Sequence, residues 1–355
     1  MTHAAFNAQG SETSPTGRHD EHMLQLCLPL LLHPDEHVQR QATLILLSLY
    51  STHVFTLLRR RLGDNDPKVR SDAKRALQVL GRQSGYSVDP RPFRGMHIEC
   101  LGTLRVYIGN REILAHEWAQ SNVSRAGWRK VQAVLAYLIH RGRSGASADE
   151  LHAAVWGSKV SNSALGRTLT ALRQTIECFG SADLAARLLN FADQRYILVP
   201  DAYTSDVYTF EHTINVAEQT ESDCGLKDAA PIYRRACDLY GGHYFATVDV
   251  VSDEVEERRT ELLNAYINAL ERLVEYAYQQ GDDEQCLALC RRGIRFDPAD
   301  DQLTLWMLRC HARQRNETEI TRVFRRYLQA LHVPPDEHDP VVRWMQTRVD
   351  QGERN

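Results

Sequence analysis

"NSALGRTLTALRQTIECFG", residues 162–180, places Leu165, Leu169, Leu172 and Ile176 at spacings of 4, 3 and 4. Those intervals bring all four onto one side of a 3.6-residue period, which predicts a helix over 162–179. The other side carries Asn162, Gly166, Arg167, Thr170 and Arg173. It is either ordinary solvated surface or a set of hydrogen-bond donors facing a polyanion, and the neighbouring segments choose between them.

Upstream, "HIECLGTLRVYIGNREI" (97–113) has β-rich runs on either side of Gly109-Asn110, a two-residue turn of the hairpin kind. Two helical patterns follow, "GWRKVQAVLAYLIHRG" (127–142) and "SADELHAAVWG" (147–157), and Ser147 with Glu150 forms a capping box that fixes the start of the second. Downstream, "ARLLNF" (186–191) and "RYILVP" (195–200) predict a second β pair with "ADQ" between them. Sheet, three helices, hairpin is the order of a winged helix, expected over 96–203.

The flanks are helical and repetitive. "HPDEHVQRQATLILLSLY" (33–50) and "DNDPKVRSDAKRALQVLG" (64–81) align at an offset of 31, matching Val38 with Val69, Ala42 with Ala73, Leu46 with Leu77 and Leu49 with Leu80. Each opens with Asp and Pro, the chemistry of a helix start. This piece, 20–84, resembles HEAT-type α-hairpins, in which each unit buries its face on the next. Residues 1–19 read as a disordered tail, and 85–95, inside "GRQSGYSVDPRPFRG", as a linker. At the other end, "DDEQCLALCRR" (282–292) and "NETEITRVFRR" (316–326) correspond at an offset of 34, the period of TPR repeats, so 204–350 is expected to be a TPR-like α-solenoid. The fold class predicted is mainly α with a small α+β winged-helix domain.

At 355 residues the chain is long enough for two or three domains. No run approaches the roughly 20 apolar residues of a membrane helix. The 8 cysteines form no CxxC pair, so neither a disulfide framework nor a zinc ribbon is indicated, and a reducing cytoplasm fits. Cys286 and Cys290 read as buried small hydrophobes and Trp156 as core, while Trp128 is a weaker candidate for packing. The chain's net charge is −4, yet residues 91–200 hold 14 Lys and Arg against 8 Asp and Glu. Positive charge is concentrated on the segment that contains the opening helix, and a local positive field attracts phosphate whatever the total is.

"RKVQAVLAYLIHRGRSGASADELHAAVW" (129–156) resembles the start of the OmpR-type winged helix carried by bacterial SARP-family activators. The matching residues are Arg129, Lys130, His140, Arg141, Gly142, Arg143, Ser147, Glu150, Leu151 and Trp156. "LTALRQTI" (169–176) fits the end of that family's recognition helix. "YILVPDAYTSDVYTFE" (196–211) fits its closing strand and the passage into the bacterial transcriptional activator domain (BTAD), whose later landmarks "LYGGHYF", "FDPADD" and "ALHVPPDE" resemble. Three positions depart from the pattern. Gly166 and Ala171 stand where the family often has basic side chains, and Arg195 replaces the usual Gly before Tyr196.

The resemblance implies a sequence-specific DNA-binding transcriptional regulator, an activator, with helix 162–179 in the major groove and wing 190–196 near the minor groove. Asn162, Ser163, Arg167 and Thr170 are then the candidates for base contact, because Arg pairs bidentately with guanine and Asn with adenine. Arg129, Lys130, Lys159 and Arg173 are the candidates for phosphate, and Arg195 adds a cation at the wing, within reach of the minor groove. Double-stranded DNA is the expected partner, bound by a homodimer with the helical repeats for dimerisation or RNA polymerase contact; the protein would be cytoplasmic and nucleoid-associated. The alternative is a protein-interaction scaffold whose winged helix no longer binds DNA. No phosphate loop, GxSxG elbow or GxGxxG is present, and "HDEH" and "HPDEH" lack HExxH order, so no enzyme, cofactor or metal site is expected.

Overall fold

Asp35 and Asp66 open two long helices of the N-terminal part in the same way, each accepting the backbone N–H two residues on at 2.8 Å. The structure, a computed structural model, describes residues 24–50, 53–64, 66–84, 95–109, 111–118, 127–157, 162–199, 202–331, 335 and 338–352. The expected tail 1–19 lies outside these, as does nearly all of the linker 85–95. The chain divides into two units, 1–93 and 94–355.

In the first unit, α1 (24–31), α2 (Glu36–Tyr50), α3 (His53–Arg61) and α4 (Pro67–Ser84) follow one another. The offset of 31 holds down to single bonds. Gln39 Nε2 donates to His33 O and Arg70 Nη1 to Asp64 O, both at 2.7 Å, so each turn is tied by the same position of the helix that follows it. Ala42, Leu46, Ala73 and Leu77 are all buried, as the periodicity predicted. Leu24, Leu31, Tyr50, Val54, Leu58 and Leu80 complete this small core. Arg82 Nη2 reaches Gln39 Oε1 at 3.0 Å and joins one repeat to the other.

The second unit opens with β1 (Met96–Glu99), β2 (Arg105–Ile108) and β3 (Arg111–Glu112). β1 pairs antiparallel with β2 in the register Met96↔Ile108 and parallel with β7 (Tyr203–Ser205), giving the sheet order β3-β2-β1-β7. Three helices then follow, α5 (Trp128–Arg141), α6 (Ala148–Trp156) and α7 (Asn162–Phe179). Residues 133–139 of α5 are buried on every side, the mark of a helix enclosed by its neighbours. A second sheet, β4-β6-β5, joins β4 (Ala146–Ser147), β6 (Arg195–Leu198) and β5 (Leu189–Ala192). The expected hairpin is present but narrower than "ADQ" suggested. Ala192 already pairs with Arg195, and the turn is Asp193-Gln194, both at positive φ.

One element differs from expectation. Residues 186–188 belong to α8 (Ala182–Leu188) rather than to a strand. Ser181 caps that helix by accepting the Leu184 N–H at 3.1 Å, and Leu184, Ala185 and Leu188 turn inward together. A four-residue apolar spacing outweighed the strand propensity of the run.

The remainder is helical: α9 (Asp206–Cys224), α10 (Leu226–Leu239), α11 (Asp253–Gln279), α12 (Asp283–Ile294), α13 (Asp301–Arg313), α14 (Glu317–Ala330) and α15 (Pro340–Gly352). The offset of 34 appears again in the caps. Asp282 accepts the Gln285 N–H at 3.0 Å and Asn316 the Glu319 N–H at 3.2 Å. Cys286, Cys290 and Ile320 are buried.

No seam separates residues 96–203 from the helices that follow. Loop 241–246 pairs with the end of β1: Phe245 N–H donates to Cys100 O at 2.9 Å, and Ala246 N–H to Gly102 O at 2.9 Å. Gly102 sits at φ +119°, and a Cβ on Gly241 would stand 2.9 Å from Leu101 O, so this close backbone approach needs glycine.

Candidate nucleic-acid interface

α7 is anchored from beneath. Leu165, Leu169, Leu172 and Ile176 are buried as the spacing predicted, and Thr168, Ala171 and Thr175 widen the buried face. Thr175 Oγ1 donates to Trp118 O at 3.1 Å, while the Trp118 indole donates to Ile113 O at 3.2 Å. That chain of bonds fixes α7 to the segment after β3. Trp118 was not singled out by the sequence, since a lone tryptophan in a polar stretch gives no periodic signal.

The outer face of α7 is exposed at Ser163, Gly166, Arg167, Thr170 and Arg173. Among the described residues neither Arg167 nor Arg173 is drawn into an ion pair, so both guanidiniums are available to an outside acceptor. Thr170 Oγ1 donates to Gly166 O at 2.8 Å and keeps its lone pairs outward. A Cβ on Gly166 would meet nothing within 4 Å. Ala171 is buried, so its lack of charge does not thin the exposed face; Gly166 alone does so. The side chain of Asn162 and all of Lys159 lie outside the described residues.

The other expected phosphate groups are engaged differently. Lys130 Nζ donates to Val155 O at the end of α6, and lies 5.9 Å from the Trp156 ring. Trp156 is half-buried against the core, whereas Trp128 is exposed with the Arg129 guanidinium 5.2 Å from its ring centre. Arg129 also lines a shallow depression with Gln132, Thr247, Val248 and Asp249. At the wing, Arg195 turns inward: Nε donates to Ser144 O at 2.8 Å and Nη2 to Glu150 Oε2 at 2.7 Å.

Glu150 is the hub of this corner. The capping box predicted from Ser147 and Glu150 is present in both directions. Burial alone would raise the Glu150 carboxyl; its bond from the Ser147 backbone and its pair with Arg195 outweigh that and hold it below its usual range. The sequence marks Glu150 only as a cap. Its second role depends on Arg141, Arg195 and Glu254, whose meeting no local pattern announces.

Among the described residues no group of three or more His, Cys, Asp or Glu is placed to hold a metal ion, and no helix is long and apolar enough to cross a membrane.

A small α+β module with a solvent-facing helix, a hairpin beside it and a helical solenoid locked behind it defines a winged-helix-type architecture. Residues 205–334, most of the helical solenoid, match the bacterial transcriptional activator domain family. Among solved structures, it is similar to Mycobacterium tuberculosis EmbR in complex with a low-affinity phosphopeptide, with a TM-score of 0.55 and 19% identity. The match covers 72% of this chain and 65% of that one, less than two thirds of its length, and it is a likeness of fold. No curated protein matches the sequence. The domain match agrees with the part of the resemblance read from residue 205 onward, and the structural match agrees with the fold that the resemblance implies.

Proposed function

We propose that this protein is a sequence-specific DNA-binding transcriptional regulator, an activator, whose helix α7 enters the major groove. The observation that carries this reading is the pair of unengaged arginines, Arg167 and Arg173, on the exposed face of a helix whose other face is fixed to the core, in a chain bearing the activator domain. Arg167, with Asn162, Ser163 and Thr170, faces base edges. Arg173, Arg129 and Lys159 face phosphate, and Lys130 supports them by holding the end of α6. Wing 190–196 lies along the backbone toward the minor groove. The activator domain supplies dimerisation or contact with RNA polymerase, and the HEAT-like pair at the N-terminus a further contact surface.

The test is selection from a random duplex library by the full chain, followed by a shift assay at several salt concentrations. A recurring motif and a steep fall of affinity with salt are expected, because each Lys or Arg on phosphate releases condensed counterions. Binding with no preference over random duplex would sink the reading.

One observation favours the alternative of an interaction scaffold: Lys130 and Arg195, two of the expected cations, are held by acceptors within the protein. In that case Arg167→Ala with Arg173→Ala leaves partner capture intact and there is no DNA binding to lose.

A further inference from the structure

Four charges of alternating sign run from the activator domain to the wing. Glu254, in the first turn of α11, takes Arg141 Nη1 on both oxygens at 3.0 and 2.7 Å. Arg141, the last residue of α5, places Nη2 3.5 Å from Glu150 Oε1. Glu150, in the first turn of α6, takes Arg195 of β6 on its other oxygen at 2.7 Å. Both arginines also donate to Gly145 O, at 3.2 and 3.1 Å. That glycine lies where a Cβ would stand 2.7 Å from Tyr196 O, so the turn before α6 is already pressed against the wing. At the far end of α6, Val251 N–H donates to Ala154 O at 2.8 Å. Val251 thus reaches the far end of α6 directly, and Glu254 reaches its start through Arg141.

We propose that the chain Glu254–Arg141–Glu150–Arg195 is a positioning device, through which the activator domain sets the angle of the wing to α6, and that Arg195 is a positioning residue rather than a groove contact. It rests on the DNA-binding reading for its purpose, though not for its mechanics. An isolated exposed ion pair does little, because ordering two long side chains offsets the attraction. Here each arginine is also ordered by the Gly145 carbonyl, and successive pairs share the ordered partner, so holding one charge pre-organises the next. Removing Glu254 frees Arg141, which loosens Glu150 and then Arg195, although Glu254 itself does not touch the wing.

The experiment is hydrogen–deuterium exchange on the full chain, comparing the wild type with Glu254→Gln, Arg195→Met and the double variant, with Asp253→Asn as a same-turn control outside the chain of charges. Glu254→Gln is expected to speed exchange of the β6 amides by about three-fold or more, the control to leave them unchanged, and the double variant to add little to Arg195→Met. Unchanged wing exchange in Glu254→Gln, or fully additive effects, overturns the proposal. A footprint on the duplex selected by the wild type provides the second arm. Glu254→Gln is expected to lose protection on the wing side and keep it under α7, and an unaltered footprint overturns the proposal. If the wild type selects no duplex, the DNA-binding reading fails while the exchange comparison still decides the mechanics.

Discussion

The Asp206 carboxylate accepts the Cys100 backbone N–H at 2.7 Å on one oxygen and the Leu101 N–H at 2.9 Å on the other. The first residue of α9 therefore closes the end of β1, just after β7 has completed the sheet β3-β2-β1-β7. Asp206→Ala leaves both N–H groups unmet in a half-buried place. Each such group costs about 1–3 kcal/mol, so denaturant unfolding of the full chain is expected to show the second unit destabilised by at least that much. A change within experimental error would mean the clamp is dispensable.

Gly166 and Gly293 both sit inside helices, with opposite surroundings. A Cβ on Gly166 meets nothing, whereas one on Gly293 would stand 2.3 Å from Leu303 Cδ1. Gly166→Ala is expected to stabilise the protein by about 0.5–1 kcal/mol through reduced chain entropy. Gly293→Ala overpacks the contact between α12 and α13 and is expected to destabilise by about 1–3 kcal/mol. Thermal melts of the two variants check the sign of each.

Arg167 and Arg173 are expected to separate by kind of effect. Arg167→Ala relaxes base preference at one position of the selected motif by about 1–3 kcal/mol. Arg173→Ala weakens all sequences alike and lowers the salt slope by about 1. Shift assays on the selected duplex and on single-base variants distinguish the two. Equal losses on every sequence for both variants would remove Arg167 from base reading.

Glu221 of α9 binds Arg272 of α11 and accepts the Tyr233 hydroxyl of α10 at 2.8 Å, tying three helices together. The Arg272 guanidinium holds its carboxyl below the ordinary value of 4.5. A depressed carboxylate contributes stability that is fully present above the unfolded value and is lost as pH falls through the folded one. Stability is therefore expected to decline below about pH 4.5 in part through this group. Glu221→Gln should shallow that acid limb and lower the plateau at neutral pH. An unchanged slope in a pH series of denaturation curves would show that Glu221 does not contribute.

Features that repeat along the chain were legible without coordinates. The leucine ladder of α7, the capping box at Ser147 and Glu150, and the offsets of 31 and 34 are local patterns, and the structure honours them down to matching caps at Asp282 and Asn316. The run 186–191 was not legible in the same way, since a short apolar stretch suits strand or helix alike. A Ser181 cap followed by Asp183 was the available signal for α8.

The sequence by itself determined which faces of the helices are apolar, where they begin and that a helical solenoid follows a winged-helix order, because these depend on side-chain period and on bonds spanning a few residues. Only the tertiary structure decided where Arg195 and Lys130 point and that Glu254 meets Arg141. Arg141 and Glu254 stand 113 residues apart, and a cation takes whichever carboxylate or carbonyl the folded chain brings within about 3 Å.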